Sequence, residues 1–332
     1  MKLRVVLIAF SLALAGGIPG LITAAAAPAA AATAAYTMTD LGNLGGGVST
    51  GFGINASGEV AGRSYLNKVF FFKCGRHICH FTQNDPFSWS GGTMTDLGTF
   101  NAMSMSEANA VNSTGDVVGG SNSRAFLVHN KKMTDLGPGM ATSINDFGEI
   151  VGNASSGSFL VSGGHRTTLA GFAPVGINNH HLLAGDIGVA PEVEHAAIWN
   201  NGTITDLGTL GGPGSVAYAI NDADQVVGEA STSTGVAAFI WQNGKMTDLG
   251  VDPIPSGINN NGLIVGNFGC GASTVILTTG SVCQNLQSLI PANSGYTLSE
   301  ARGINDKGQI VAEASLQSDP NHPRHSVLLT PN

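Results

Sequence analysis

Two short patterns of apolar and polar positions alternate along the chain from Tyr36 onward. In the first, a small residue, Ile or Val and an Asn precede a turn, and a Val/Ile-rich strand then ends in Gly, as in GINASGEVAG and GINNNGLIVG. The seven copies are anchored by Asn55, Asn112, Asn145, Asn178, Asn221, Asn259 and Asn305. The first and last anchors are 250 residues apart, so the period is about 42 residues, which is typical of propeller blades or another β-rich repeat array.

The second pattern is an apolar strand, a short turn and a strand that ends in Thr-Asp-Leu-Gly. Clear copies occupy Pro86–Gly98, Ala125–Gly137, Ala196–Gly208 and Ala237–Gly250. Two degenerate copies occupy Ser158–Ala170 and Thr274–Leu286. Each period therefore predicts two β-hairpins, which are four short strands of mostly β-branched and aromatic residues.

The two ends of the repeat region complete one another. Tyr36–Gly42 is a Thr-Asp-Leu-Gly strand with no apolar strand before it, and His325–Pro331 is an apolar strand with no partner after it. Pairing them closes a ring and removes an exposed sheet edge. The sequence therefore predicts an all-β fold, a seven-bladed β-propeller of four-stranded blades that forms a single domain over residues 36–332. A pair of β-sandwich domains is the alternative.

This set of repeated motifs resembles the HAF family of probable extracellular repeat proteins, over roughly Tyr36 to Pro331. The His-Ala-Phe signature of that family is approached by His195-Ala196-Ala197 and by Arg124-Ala125-Phe126. Two hairpins per period are also similar to the layout of kelch-type propellers. The resemblance implies secretion and a repeat architecture. It implies no reaction, so no catalytic residue is carried over.

The N-terminus has the three parts of a secretory signal peptide. Lys2 and Arg4 are basic, Val5–Ala15 is an apolar core, and Ala24–Ala35 is Ala-rich with several Ala-x-Ala sites. The apolar core is too short to be a retained membrane span. We therefore expect residues 1–35 to be removed and the mature protein to be secreted, to the extracellular space or the periplasm.

The charge of the chain restricts its partners. There are 14 Lys and Arg against 22 Asp and Glu, a net charge of −8, and charged residues are 11% of the total, well below the roughly 25% of ordinary globular proteins. An acidic chain with few cations is unsuited to nucleic acid, whose phosphates attract clustered positive charge. No later apolar run is long enough to span a bilayer. We expect a monomer with no cofactor and no membrane contact after cleavage.

The four cysteines form two near pairs, Cys74 with Cys79 and Cys270 with Cys283. In an oxidising compartment this arrangement favours two disulfides. The segment from Cys74 to His80 also holds two His residues, so zinc ligation is an alternative, as is a rare variant of the haem-attachment motif. Secretion makes the disulfide the simpler interpretation, and no metal site is predicted.

Residues that recur in every blade are interpreted as scaffold, because a ligand site needs only one or two copies. The anchoring Asn is expected to bond the backbone just ahead of it. The fourth residue of the turn is expected to have φ > 0; it is Gly in five copies and His181 or Asp224 in the other two. The recurring Asp of Thr-Asp-Leu-Gly is expected to accept backbone N–H groups. The Trp residues at matching third-strand positions are expected to pack between blades: Trp89, Trp199 and Trp241.

Function is expected where the blades differ. Long, irregular loops should share one face of the ring: Arg63–Asp85, Ile187–Glu194, Glu313–Arg324, Asn43–Phe52, Thr99–Asn109 and Pro291–Arg302. Three residues before each anchoring Asn stands a variable residue that should ring the channel mouth on that face: Phe52, Asn109, Thr142, Val175, Tyr218, Ser256 and Arg302. The predicted binding residues are Phe52, Asn109, Tyr218, Glu300 and Arg302. The alternative is that these residues only fill the top of the channel.

Two classes of function follow. The favoured one is a non-catalytic binding scaffold for an extracellular glycan, peptide or protein. The other is a propeller enzyme acting on polysaccharide, a hydrolase or lyase, which would need paired carboxylates or a metal. The non-repeat acids available to such an enzyme are Glu107, Asp186, Glu192, Glu194, Asp252, Glu300 and Glu313. No catalytic residue is assigned from the sequence.

Overall fold

The computed structural model describes residues 35–101, 105–250, 254–269, 272–277, 283–319 and 323–332. These residues form seven antiparallel four-stranded sheets, which confirms the predicted seven-bladed propeller over the pair of sandwiches. The predicted signal peptide lies outside the described residues except for Ala35 and remains a prediction. Within the described ranges, no helix has the length and apolar character to cross a bilayer.

The described chain opens with a strand that belongs to the last blade, β1 (Tyr36–Asp40). Blade 1 comprises β2 (Gly45–Ile54), β3 (Val60–Cys74), β4 (His77–Ser90) and β5 (Thr93–Asp96). Blade 2 comprises β6 (Ser106–Val111), β7 (Val117–Ser121), β8 (Arg124–His129) and β9 (Lys132–Pro138). Blade 3 comprises β10 (Met140–Ile144), β11 (Ile150–Asn153), β12 (Ser158–Ser162) and β13 (His165–Leu169).

The remaining four-strand units follow in the same order. Blade 4 comprises β14 (Ala173–Ile177), β15 (Leu183–Ala190), β16 (Val193–Asn200) and β17 (Thr203–Asp206). Blade 5 comprises β18 (Ser215–Ile220), β19 (Val226–Ser231), β20 (Val236–Gln242) and β21 (Lys245–Asp248). Blade 6 comprises β22 (Ile254–Ile258), β23 (Ile264–Gly269), β24 (Ala272–Leu277) and β25 (Cys283–Asn285), and the 3-10 turn Leu286–Leu289 follows it. Blade 7 comprises β26 (Tyr296–Ile304), β27 (Ile310–Leu316) and β28 (Arg324–Pro331), with β1 as its fourth strand.

The ring closes as the ends of the sequence predict. β1 pairs with β28 in a continuous antiparallel register that runs from Tyr36 opposite Pro331 to Asp40 opposite Val327. The first strand of each blade contacts the first strands of both neighbouring blades; β2, for example, contacts β6 and β26. These seven strands therefore surround the central channel, and the fourth strands lie at the outer rim. The pairing covers the edge of β28, which would otherwise be left unpaired at the outer rim of blade 7.

Several segments expected to be long loops are extended strands. Arg63–Asp85 lies almost entirely in the β3–β4 hairpin, and Ile187–Glu194 lies mostly in the β15–β16 hairpin. β2 and β26 likewise begin within Asn43–Phe52 and Pro291–Arg302. In the β3–β4 hairpin the strands continue because the segment is rich in Val, Ile and Phe, which favour paired, extended backbone. The prediction of irregular loops at these places was wrong.

The core is divided among the seven interfaces between blades. Each apolar cluster combines residues of two adjacent blades; one joins Ala61 of blade 1 to Val117 and Phe126 of blade 2. The third-strand Phe packs over the Gly that ends the second strand, so a Cβ at Gly152 would come within 2.5 Å of the Phe159 ring and within 2.2 Å of a backbone oxygen. This close approach explains why that Gly recurs. The three Trp residues contribute to the same clusters, as predicted: Trp89, Trp199 and Trp241.

The seven anchoring Asn side chains have two roles. Each Oδ1 accepts the N–H groups two and four residues ahead; Asn55 Oδ1 accepts from Ser57 at 3.0 Å and from Glu59 at 2.9 Å. This is the predicted Asx turn, and the fourth turn residue has φ > 0 throughout, including His181 and Asp224. Each Nδ2 also donates to the backbone oxygen of the next anchoring Asn, at 2.8–3.2 Å around the complete ring. We call this closed circle of seven bonds the Asn ring, and the end of the propeller that carries it the Asn face; the opposite end is the long-loop face.

The recurring Asp is also a structural residue. Its Oδ1 accepts the N–H of the Gly two residues later at 2.6–2.8 Å in all five Thr-Asp-Leu-Gly copies, as predicted. In three blades the same carboxylate binds a third-strand cation or imidazole, and the pairs are Arg124–Asp135, His195–Asp206 and His325–Asp40. His195 and His325 therefore each have a carboxylate partner within their own blade.

The predicted disulfide between Cys74 and Cys79 is present at the tip of the β3–β4 hairpin, with 5.8 Å between the Cα atoms. Both sulfur atoms are used in this bond, so neither is a thiolate ligand for zinc and neither is free to attach haem. Cys283 is disulfide-bonded. Cys270 lies outside the described residues, and the Cys270–Cys283 pairing remains a prediction.

The contribution of the Asn ring can be separated from that of the Asx turn at Asn112. Asn112→Asp keeps the acceptor for the turn but loses the bond to the Asn145 oxygen, whereas Asn112→Ala loses both. We expect thermal or denaturant unfolding to show a loss of about 1–2 kcal/mol for Asn112→Asp and about 2–4 kcal/mol for Asn112→Ala. Asn200→Ala, at an exposed strand end, is the control. Equal stability of the Asp variant and the parent protein would contradict a structural role for the ring.

Candidate functional site

Each channel-lining strand carries a β-bulge at the same place. The register shifts at the residue three positions before the anchoring Asn, and the seven bulged residues are Phe52, Asn109, Thr142, Val175, Tyr218, Ser256 and Arg302. A bulge redirects a side chain and often lies beside a binding site. All seven remain at least partly exposed although they lie on the innermost strands. The variable positions found in the sequence are therefore the irregular positions of the structure.

Three of the bulged residues hold neighbouring blades together. Asn109 Nδ2 donates to the backbone oxygen of Ala141 at 2.8 Å, and Ser256 Oγ donates to that of Ala301 at 2.5 Å. Thr142 makes longer contacts of the same kind to Pro174. The side-chain amide of Asn109 is thus bonded to the neighbouring blade, which favours a structural role for this predicted binding residue.

Phe52 lies close to two guanidinium groups. The Arg63 and Arg302 Cζ atoms each lie 5.5 Å from the centroid of its ring, within the range of cation–π attraction. Arg63 also pairs with Glu107 of the next blade at 2.8 Å. We call Phe52, Arg63 and Arg302 the Phe52 stack. Through Arg302 and the pair of Arg63 with Glu107, this stack joins blades 7, 1 and 2 near the long-loop end of the channel.

Arg302 is neutralised by two carboxylates. Its Nη2 contacts Glu300 and lies 2.6 Å from Glu313 Oε1, and Arg324 Nη1 lies 3.3 Å from the other Glu313 oxygen. The Glu313 side chain is only 1% exposed. A buried carboxylate that lost this partner would be costly, so Arg302 contributes to the stability of blade 7 as well as presenting its outer face beside Phe52.

A second set of variable residues was missed in the sequence. It comprises the residue directly after the end of the repeated Val-Val-Gly strand: Arg63, Gly120, Asn153, Asp186, Glu229, Asn267 and Glu313. Six of the seven are polar, and they contact either the bulged residue of their own blade or the backbone of the next. The signal was present in the repeats, as a variable and mostly polar residue after a position that is Gly in six copies and Ala312 in the seventh.

A cluster of acidic side chains lies between blades 4 and 5. Tyr218 Oη donates to Glu229 at 2.9 Å, and Asp186 Oδ1 accepts the Ala217 N–H at 2.9 Å. Burial raises the pKa of Asp186 to about 6; the charge of Glu194 adds to the shift and the Ala217 N–H opposes it. Burial, the bond to Glu229 and the nearby acids raise the pKa of Tyr218 to about 12. Asp186 is therefore a carboxyl group that is partly protonated near neutral pH.

A cavity of about 780 Å³ opens beside the Phe52 stack, between blades 1, 2 and 3. Arg63, Glu107, Asn84 and Met140 are among the residues that line it. Arg63 Nε and Asn84 Oδ1 are buried atoms that have no hydrogen-bond partner among the described residues. Asn84 is 1% exposed as a whole residue, and its Nδ2 is fixed to the Ser106 oxygen at 2.8 Å. Two of the residues that line the cavity therefore carry a buried polar atom without a partner in the described part of the chain, one donor and one acceptor.

Smaller cavities lie elsewhere on the propeller. One of about 400 Å³ is lined by Glu192, Glu194 and Glu229 among others, and one of about 230 Å³ is the channel mouth at the Asn face, lined by all seven blades. Within the described part of the chain, no group of three or more His, Cys, Asp or Glu side chains has an arrangement suited to a metal ion. The cavity beside the Phe52 stack is therefore the best-formed candidate site.

The structure brings together only part of the predicted site. Phe52, Arg302 and Glu300 form one contiguous group. Asn109 is bonded to blade 3, and Tyr218 lies on blade 5 with Glu229. The five residues thus form separate groups around the channel.

The closed ring of seven four-stranded blades defines this protein as a β-propeller. Sequence comparison with protein families finds no match, and no curated protein matches. Among solved structures, the chain is similar to a streptogramin B lyase at 15% identity and a TM-score of 0.50, over 90% of this chain and 98% of that one. It is also similar to a chain of the mitotic checkpoint complex at 11% identity and a TM-score of 0.53, over 95% and 99%. Similarity at this level of identity establishes the fold alone.

The raised pKa of Asp186 predicts a pH-dependent stability. The folded state binds this proton with a pKa of about 6 and the unfolded state with the ordinary value of 3.8, so the carboxyl opposes folding above pH 6 and has no net effect below 3.8. Asp186→Asn keeps the acceptor for Ala217. We expect its thermal midpoint to exceed that of the parent at alkaline pH, with the difference shrinking to nothing on acidification through this window.

Glu192→Gln, an exposed acid in the same blade, is the control because it changes the net charge equally. An Asp186→Asn difference that is the same at every pH, or that matches the control, would contradict the assignment of this proton to Asp186.

Proposed function

We propose that this chain is a secreted, non-catalytic β-propeller of the HAF family, with kelch-like blades, that binds an extracellular ligand on its long-loop face. The observation that carries the proposal is the cavity beside the Phe52 stack, with its unpaired Arg63 Nε and Asn84 Oδ1. Buried polar atoms without partners are rare and costly in a scaffold. A ligand that supplies both bonds removes that cost.

A glycan is the ligand class that fits best. A sugar hydroxyl both donates and accepts, so neighbouring hydroxyls can satisfy Asn84 Oδ1 and Arg63 Nε at once. Met140 offers an apolar contact for the face of a sugar ring, and Arg63 and Glu107 are already paired, so the cavity has no uncompensated charge that would select an ion. A peptide is the other candidate. The cavity volume of about 780 Å³ lies within the usual range for small-ligand sites.

The disulfide at Cys74–Cys79 supports an oxidising compartment. It agrees with the signal peptide indicated by the sequence. Extracellular and periplasmic residence are both compatible with it.

The proposal is tested with a glycan and peptide array, followed by variants at the cavity rim. Ser155 lines the cavity, and its neighbour Ser156 is equally exposed but does not. We expect Ser155→Trp to block the cavity and weaken the identified ligand tenfold or more, about 1.4 kcal/mol, while Ser156→Trp leaves affinity unchanged. Arg63→Lys keeps the charge for Glu107 but removes Nε, and should weaken binding about fivefold to thirtyfold. A ligand unaffected by both Ser155→Trp and Arg63→Lys would place the site elsewhere.

The second candidate is an enzyme that acts on polysaccharide. It is favoured by Asp186, because a carboxyl with a pKa of about 6 is suited to a general acid, and by Glu229 and Tyr218 nearby. Release of reducing ends or unsaturated products from a polysaccharide panel would identify the activity. It should be lost in Asp186→Asn although the variant remains folded, with a thermal midpoint no lower than that of the parent; activity that survives this change would exclude Asp186 as the acid.

A further inference from the structure

The β3–β4 hairpin of blade 1 projects from the long-loop face beyond the rest of the propeller. Its strands have 15 and 14 residues, whereas the equivalent hairpin of blade 4 has two strands of 8. The register shifts between Tyr65 and Val69, and six consecutive pairs follow, from Val69 opposite Thr82 to Cys74 opposite His77. At about 3.3 Å per residue these pairs extend the hairpin by about 20 Å. The Cys74–Cys79 disulfide ties its two strands together near the tip.

Large apolar side chains are exposed on both faces of this extension. Directly opposed residues in an antiparallel pair share a face, so Phe71 and Val69 lie on the face that also carries Ile78. Phe72 lies on the other face. Their exposed fractions are 73%, 47%, 78% and 45%, respectively. Four exposed apolar residues within one short hairpin stand out in a protein whose apolar residues are otherwise mostly buried between blades, and such clusters mark interaction sites.

The charge of the hairpin is opposite to that of the protein. Lys68, Lys73 and Arg76 lie in it, and no Asp or Glu occurs between Glu59 and Asp85. The chain as a whole has a net charge of −8. The apolar tip therefore carries a local positive charge, which is complementary to an anionic partner.

We propose that this hairpin inserts its tip into the interfacial region of a bilayer that contains anionic lipid. A docked protein would cover one face of a two-stranded ribbon, whereas the exposed Phe and Ile side chains here lie on both faces and need an apolar medium around them. Cations beside apolar residues are the combination that binds anionic headgroups and the outer acyl region together. The sequence suggested no membrane contact because it contains no spanning segment; the hairpin binds without spanning. The inference is independent of the proposed ligand cavity.

The test uses the mature chain and two kinds of vesicle, one of equal parts phosphatidylglycerol and phosphatidylcholine and one of phosphatidylcholine alone. We expect co-sedimentation with the anionic vesicles, and weaker binding both to the neutral vesicles and at raised salt, because screening reduces attraction to the headgroups. Phe71→Ser combined with Ile78→Ser should lower the partition coefficient at least about tenfold. Lys73→Gln combined with Arg76→Gln should also weaken binding, and should reduce its salt dependence.

The matched control is Phe147→Ser, which removes an aromatic residue of similar exposure, 67%, from a turn on the Asn face. Unchanged melting temperatures would show that the hairpin variants are folded. The proposal is overturned if anionic vesicles do not bind the chain, or if Phe147→Ser weakens binding as much as the hairpin change. It is also overturned if sedimentation velocity shows a dimer that the Phe71 and Ile78 changes dissociate, because the occupant would then be a second copy.

Discussion

The rest of the structure depends on the closed circle of hydrogen bonds between seven buried Asn side chains. Each blade buries its apolar surface only against its neighbours, so the ring is stable only if all seven interfaces form together. The Asn fixes both parts of this requirement, because Oδ1 holds its own turn and Nδ2 holds the next blade. The bond from Asn305 to Asn55 joins residues 250 positions apart and completes the circle. One residue type therefore specifies the local turn and the long-range closure.

The two ends of the propeller differ in how much their residues vary from blade to blade. The Asn face repeats the same turn seven times, and its geometry leaves little room for variation. On the long-loop face the β-bulges release one residue per blade from regular pairing, and the residue after the second-strand Gly lies beside it. At these positions Asn109 donates a hydrogen bond to the next blade, whereas Phe52 and Arg63 form a stack that borders a cavity. The hydrogen bonds that recur in every blade thus supply much of the stability, and the differences between blades lie mainly on the long-loop face.

The fold could be predicted from the sequence because its determinants are periodic. The sequence shows the Asn-anchored turns once per blade and the recurring Asp in five of the seven blades. It also shows two strands without partners, at Tyr36 and Pro331, and a closed ring is the arrangement that pairs them. The site was predicted only in part, because the sequence shows which residues vary but not which of them meet. The partnership of Arg63 with Glu107 joins positions 44 residues apart, and depends on the angle between two blades. The orphaned atoms of the cavity depend on the same packing.

Several of the non-repeated features lie in one sector of the ring. Blades 7, 1, 2 and 3 contain four of them: the Phe52 stack, the ion pairs of the buried Glu313, the cavity and the projecting hairpin. In a propeller with identical blades, every departure from the repeat costs some of the regular packing, so departures that serve no purpose are expected to scatter. Here they adjoin, and Arg63 takes part in both the stack and the cavity. The cavity and the hairpin for which we propose binding therefore both lie near the ring closure, whereas the acidic side chains of Asp186 and Glu229 lie in blades 4 and 5.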